Sequence, residues 1–124
     1  MRNGLIAGIF AFIAVAAPAS AHHAAAIFDM SKQTTIAGTI KDYEWTNPHC
    51  WIFVKQPLPG GGEKTWLLVA GPPSILTRLG LNKSDLNVGD QITVHAHPET
   101  GGQAVASVID LALANGKLVD LAIK

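Results

Sequence analysis

Apolar positions fall into three kinds of run along the 124 residues of this chain. From Leu5 to Ala17 they are continuous, LIAGIFAFIAVAA; from Thr34 onward they come in short stretches of period two; around Ile75 they take a brief helical spacing. TTIAGTIKDYEW, Thr34 to Trp45, is rich in residues that suit a pleated surface and predicts a first strand. Gly38 in its middle predicts a bulge or sharp bend, as a strand curling round a small barrel requires. TNPH interrupts the pattern, because Pro48 lacks an amide hydrogen and holds Asn47 extended, so a turn is expected. HCWIFVKQ predicts a second strand with His49, Trp51 and Phe53 on one face and Cys50, Ile52 and Val54 on the other. Both faces are apolar, which makes this strand a central one.

The loop PLPGGG separates it from EKTWLLVA, a third strand expected to pair back on the second. GPPSILTRLG predicts a short helix with Ser74 as its cap, Ile75, Leu76 and Leu79 as its apolar stripe and Gly80 as its end. A turn at Gly89-Asp90 leads to a fourth strand that sends Ile92, Val94 and Ala96 one way and Thr93, His95 and His97 the other. AVASVIDLALANGKLVDLAI is strand, turn, strand, and Asn115-Gly116 between apolar runs predicts a type I′ hairpin. The order gives an all-β fold: a small five-stranded Greek-key barrel of the oligonucleotide/oligosaccharide-binding (OB) type. It has one short helix between strands three and four and a C-terminal hairpin. An open β-sandwich is the alternative.

The continuous run belongs to another part of the chain. Arg2, the apolar stretch and the small-residue end PASA have the three parts of a secretory signal peptide, and the stretch falls short of the ~20 residues that span a bilayer. Residues 1–21 are therefore expected to be a signal peptide and residues 22–124 a single OB-like domain, located in the periplasm or secreted, with no membrane attachment after cleavage. The A-x-A rule sets Ala19 and Ala21 before the cut and leaves His22 as the mature terminus. AAAIFDMSKQ then runs as an extended arm into the first strand.

Charge narrows the partners. The chain has 9 basic and 9 acidic residues, so loss of Arg2 leaves the domain near neutrality with no basic patch, and nucleic acid is not an expected partner. Cys50 is the single cysteine and has no internal disulfide partner, which leaves burial, a metal or a second chain; burial is the ordinary fate of a lone thiol. The carboxylates are scattered, and there is no G-x-S-x-G, phosphate loop or dinucleotide fingerprint, so the protein is not expected to be an enzyme.

Histidine is the one residue type that carries chemistry here. A free α-amine and the imidazole of His22 can chelate one ion, His23 adds a further nitrogen, and an N-rich tetragonal set favours Cu(II). Strand alternation sends His95 and His97 to one side of the sheet, where they could reach a common ion or stand as ordinary surface residues. His49 beside the Asn-Pro turn has a structural alternative, a hydrogen bond to that turn. Of Trp45, Trp51 and Trp66, at least two are expected in the core.

Several segments together, AHHAAAIFD, GTIKDYEWTNPH, LTRLGL, LNVGDQITV and the closing NGK, resemble a family of small exported bacterial proteins of unknown function. The resemblance runs over nearly the whole mature length, and Trp45 to His49, W-T-N-P-H, is its specific part. Val69 stands where members often carry an acidic residue, and the HAHP step of His95 and His97 is less typical of them. The resemblance implies fold and export, and it pairs His-His with W-T-N-P-H.

Two functions follow as expectations. One is a periplasmic metal-binding protein, for copper as the most suitable ion, with His22, His23 and His49 as ligands. The other is a non-catalytic binding or assembly module that recognises a periplasmic protein or small ligand through the barrel surface at Trp45, Asn47, His95 and His97.

Overall fold

The computed structural model describes residues 27–122; the expected signal peptide and the His22-His23 pair lie outside the described residues. The chain forms β1 (Thr34–Glu44), β2 (Trp51–Pro57), β3 (Glu63–Val69), α1 (Pro73–Leu79), a 3₁₀ turn (Lys83–Asp85), β4 (Gln91–Pro98), β5 (Val105–Ala112) and β6 (Leu118–Asp120). β1 is antiparallel to both neighbours: its first half pairs with β4 from Thr34↔Ala96 to Thr39↔Gln91, and its second half with β2 from Thr39↔Lys55 to Glu44↔Trp51. β2 pairs with β3 along its whole length, and β4 with β5. Parallel pairing of β3 with β5, Leu67↔Val105 to Val69↔Ser107, closes the ring. Five strands thus make a closed barrel, as the strand order predicts, and β6 extends it outside as the second arm of the C-terminal hairpin.

Period-two alternation fills the interior. Ile36, Ile40, Ile52, Val54, Leu68, Val94, Ala96 and Ala106 point inward and are fully buried. Each large aliphatic among them contributes about 1.5–3 kcal/mol relative to an exposed position. Trp66 joins this core with its indole N–H donating to Gln56 Oε1 at 2.9 Å, so the ring is buried without an orphaned donor. Cys50 is 1 % exposed, and burial pushes its thiol up from the ordinary value, as expected of a cysteine with a packing role.

Four local expectations change. The bulge in β1 falls between Ile40 and Asp42 rather than at Gly38, and it moves Tyr43 onto the core side. Gly38 is needed for a different reason: it lies where β1 passes from one partner to the other, and a Cβ there would collide with the Lys55 carbonyl of β2. In α1 the N-cap is Pro72, not Ser74, and no side chain caps the helix; its C-terminal glycine, Gly80, is left-handed at φ 103° as predicted. At the hairpin only Gly116 has positive φ, 87°, so the turn is not type I′. Gly116 N–H bonds the Leu113 carbonyl and Leu113 N–H bonds the Lys117 carbonyl, a three-residue loop with glycine in the left-handed position. Finally, the arm is not simply extended: Phe28 bridges Glu99, and Asp29 caps a turn by accepting from Ser31 N and Oγ before β1 begins.

One polar contact ties the hairpin to the barrel. Asp85 accepts from Asn82 N–H at 2.8 Å in a capping box and from Lys117 Nζ at 2.9 Å, and these bonds hold its carboxyl below the ordinary aspartate value of 3.8. A carboxyl that keeps its proton off longer when folded stabilises the fold above that value and loses the contribution as pH falls through it and below. Asp85→Asn is therefore expected to cost about 0.5–1 kcal/mol at pH 7 and to flatten the acid limb of the stability curve, read by urea unfolding between pH 7 and 3. Gly38→Ala is expected to cost about 1–3 kcal/mol in the same assay, through displacement of β2.

Candidate functional site

A barrel has one interior, yet β2 carries apolar residues on both faces. Its outward Trp51 starts a row that the register continues across the wall: Trp51 opposite Val69 on β3, Val69 opposite Ser107 on β5, Ser107 opposite His97 on β4. This row is the floor of a groove of about 900 Å3 on the outside of the barrel. Ile75 and Leu79 of α1 and Ile27 and Phe28 of the arm also line it. The helix stripe predicted from sequence thus divides its work: Leu76 is fully buried in the core, while Leu79 stays 40 % exposed on the groove rim. Ile27 and Met30, 45 % and 64 % exposed, extend the same apolar rim. No charged side chain lines the groove among the described residues; its polar side chains are His49, His97 and Ser107.

All three described histidines share one feature. His49 Nδ1 lies 3.3 Å from the Ala70 carbonyl, His97 Nδ1 2.7 Å from the Lys32 carbonyl, and His95 Nδ1 2.6 Å from Asp110 Oδ1. A carbonyl only accepts, so the proton of His49 and His97 sits on Nδ1 and the neutral ring keeps its lone pair on Nε2. An imidazole oriented through Nδ1–H to an oxygen is the usual arrangement of a metal-binding histidine. It is also an ordinary way to satisfy a surface histidine.

The structure separates residues that the sequence allowed to meet. His95 and His97 share the outer face, but a bulge in β5 between Asp110 and Val108 intervenes; His97 lines the groove, and His95 lines a smaller hollow of about 380 Å3 with Asp110 and Asp120. His49 is exposed, bonds Ala70 rather than the Asn-Pro turn, and sets its ring edge-on to Trp51 at 6.4 Å between centroids. Trp45 is half-buried against the core, so two tryptophans pack as expected and Trp51 is the one given to the groove. Asn47 is exposed, in the bend before β2. Among the described residues no group of three histidine, cysteine or carboxylate side chains converges to hold an ion. No described helix is long and apolar enough to cross a membrane.

The groove escaped the sequence reading, which took the double apolar face of β2 for a central strand. The alternation of β5, with Val105, Ser107 and Ile109 turned outward, was the second available signal.

The family of unknown function DUF6152 matches residues 11–107. The chain belongs to that family. No curated protein matches it. Among solved structures, the barrel is similar to the mitochondrial single-stranded DNA binding protein Rim1 of S. cerevisiae. One crystal structure of that protein gives a TM-score of 0.52 and another, of its selenomethionine form, 0.50, each at 13% identity over 66% of this chain and 92% of the other. The likeness is one of fold, and it matches the OB-type barrel of this DUF6152 member.

The uncharged, apolar floor generates a prediction. A fluorescent apolar dye such as anilinonaphthalene sulfonate is expected to bind the native protein, and Val69→Glu, which sets a charge at the centre of the row, is expected to remove most of the enhancement. Unfolding curves of the variant check that the barrel itself persists.

Proposed function

We propose that this DUF6152 protein is exported by removal of residues 1–21 and binds a metal ion, Cu(II) by the nature of its donors, without catalysing a reaction. The ligands are the α-amine and imidazole of His22, the imidazole or amide nitrogen of His23, and an imidazole of the barrel, for which the sequence puts forward His49. The observation that carries the reading is the Nδ1 anchoring of the groove histidines to backbone carbonyls, which leaves Nε2 available on His49 and His97. The donor set is nitrogen throughout, which is why copper fits better than harder ions.

A second reading has its own support. The groove is within the size range of small-ligand sites, has an apolar floor with few polar groups, and keeps Ile27, Met30 and Leu79 exposed on its rim. On that reading the protein is a non-catalytic binding module for an uncharged apolar molecule or a partner segment. Nucleic acid, which the Rim1 structures bind by their name, has less in its favour here, because the groove lacks the basic side chains that neutralise phosphates.

Titration calorimetry with Cu(II) separates the two. Protein that begins at His22 with a free amine is expected to bind at pH 7.5. Protein carrying one extra residue before His22 is expected to bind far more weakly, since the terminal chelate is lost. Affinity is expected to fall from pH 8 to pH 5, because protons compete with the ion for the amine and imidazole nitrogens. Equal affinity in the free and extended forms removes the metal reading and leaves the groove-binding one.

A further inference from the structure

Two of the three polar side chains of the groove are neighbours, and the floor beside them is apolar. The register sets His97 of β4 directly opposite Ser107 of β5, Ser107 opposite Val69 of β3, and Val69 opposite Trp51 of β2. Side chains paired across antiparallel strands, as His97 and Ser107 are, stand about 4.5–5.5 Å apart at Cβ on one face of the sheet. From Ser107 the floor runs two strand spacings, about 10 Å, over Val69 to Trp51. Val105 and Ile109 flank Ser107 along β5 in the same outward phase and line the groove with it. One polar pair therefore stands at the edge of an apolar surface, and no charged side chain lines the groove among the described residues.

The two members of the pair ask for different things. His97 gives its Nδ1–H to the Lys32 carbonyl, so the neutral ring presents Nε2 purely as an acceptor. Ser107 Oγ both donates and accepts. A ligand group that meets both must give one proton to Nε2 and offer one lone pair to the serine hydroxyl, and a hydroxyl supplies both from a single oxygen. A carboxylate offers lone pairs alone, leaves Nε2 without a donor, and brings a charge that nothing in the groove balances. An ammonium can donate to Nε2, but no carboxylate lines the groove to offset it. An ether or ester accepts from Ser107 and again leaves Nε2 unmet.

We propose that the groove binds an uncharged apolar molecule that ends in a hydroxyl, held between His97 Nε2 and Ser107 Oγ with its apolar body over Val69 towards Trp51. The inference rests on the groove-binding reading and names the ligand class and the two residues that select it. Because Val105 and Ile109 flank the pair, the ligand's own body excludes water from it on binding. A polar atom covered without a partner is then costly, and that cost makes the pair selective.

The test uses protein expressed from the complete chain, in metal-free buffer at pH 8, with the uncharged dye N-phenylnaphthylamine in the groove and two competing probes, octanol and its methyl ether. The ether is the more apolar of the two, so an apolar surface without a hydroxyl site binds it at least as well as octanol. Octanol is expected to displace the dye at about fivefold lower concentration, the worth of one net hydrogen bond. His97→Phe is expected to abolish that preference. Ser107→Ala is expected to weaken both probes alike and to keep the preference, since each of them accepts from the serine. Equal displacement by the two probes from the unaltered protein overturns the inference and keeps the groove-binding reading; this comparison needs no variant, so a folding defect in His97→Phe leaves it decisive. A preference that survives in folded His97→Phe, or probe affinities that Ser107→Ala leaves unchanged, also overturn it. Failure of the dye to bind, or binding that Val69→Glu does not disturb, overturns the groove-binding reading itself.

Discussion

Everything outside the core follows from the way β1 serves two partners and lets the sheet close. Its eleven residues pair with β4 in one half and β2 in the other, and the passage between them is possible because Gly38 admits the Lys55 carbonyl where any side chain would push β2 away. Once β1 has turned, β3 and β5 come together in parallel and the ring is complete. A closed barrel has a single interior, filled here by Ile, Val, Leu and Ala at alternate positions. Apolar residues of the opposite phase must then face outward, and Trp51, Val69 and Ile109 do so on adjacent strands. The groove is thus a consequence of closure acting on a sequence that is apolar on both faces of β2.

This explains which parts of the protein were legible in the sequence. Alternation in β4 placed Ile92, Val94 and Ala96 inside correctly, Gly80 ended the helix where its left-handed φ was needed, and the strand order with its intervening helix gave the barrel. These features depend on local chemistry or on period alone. The bulge at Lys41, the three-residue hairpin loop and the groove depend on contacts distant in sequence. Asn115-Gly116 reads as type I′ on its own, but the structure keeps Asn115 at negative φ and gives the left-handed position to Gly116 alone; Asn115 Oδ1 instead accepts from Lys117 N–H at 2.9 Å. The pairing of the sites behaves likewise: His95 and His97 are two apart on one strand, and only the bulge in facing β5 shows that they belong to different hollows.

The described imidazoles are ordered by acceptors, and that order has a physical basis in the barrel's edges. Ala70 lies just past β3 and Lys32 just before β1. Both carbonyls take the Nδ1–H of a neighbouring histidine. Strand ends leave carbonyls without ladder partners, and a histidine on the neighbouring strand, as His97 is, or just before it, as His49 is, can satisfy them. The cost of orienting the ring is thereby met by the fold, and Nε2 is left for an external partner at no further expense in order.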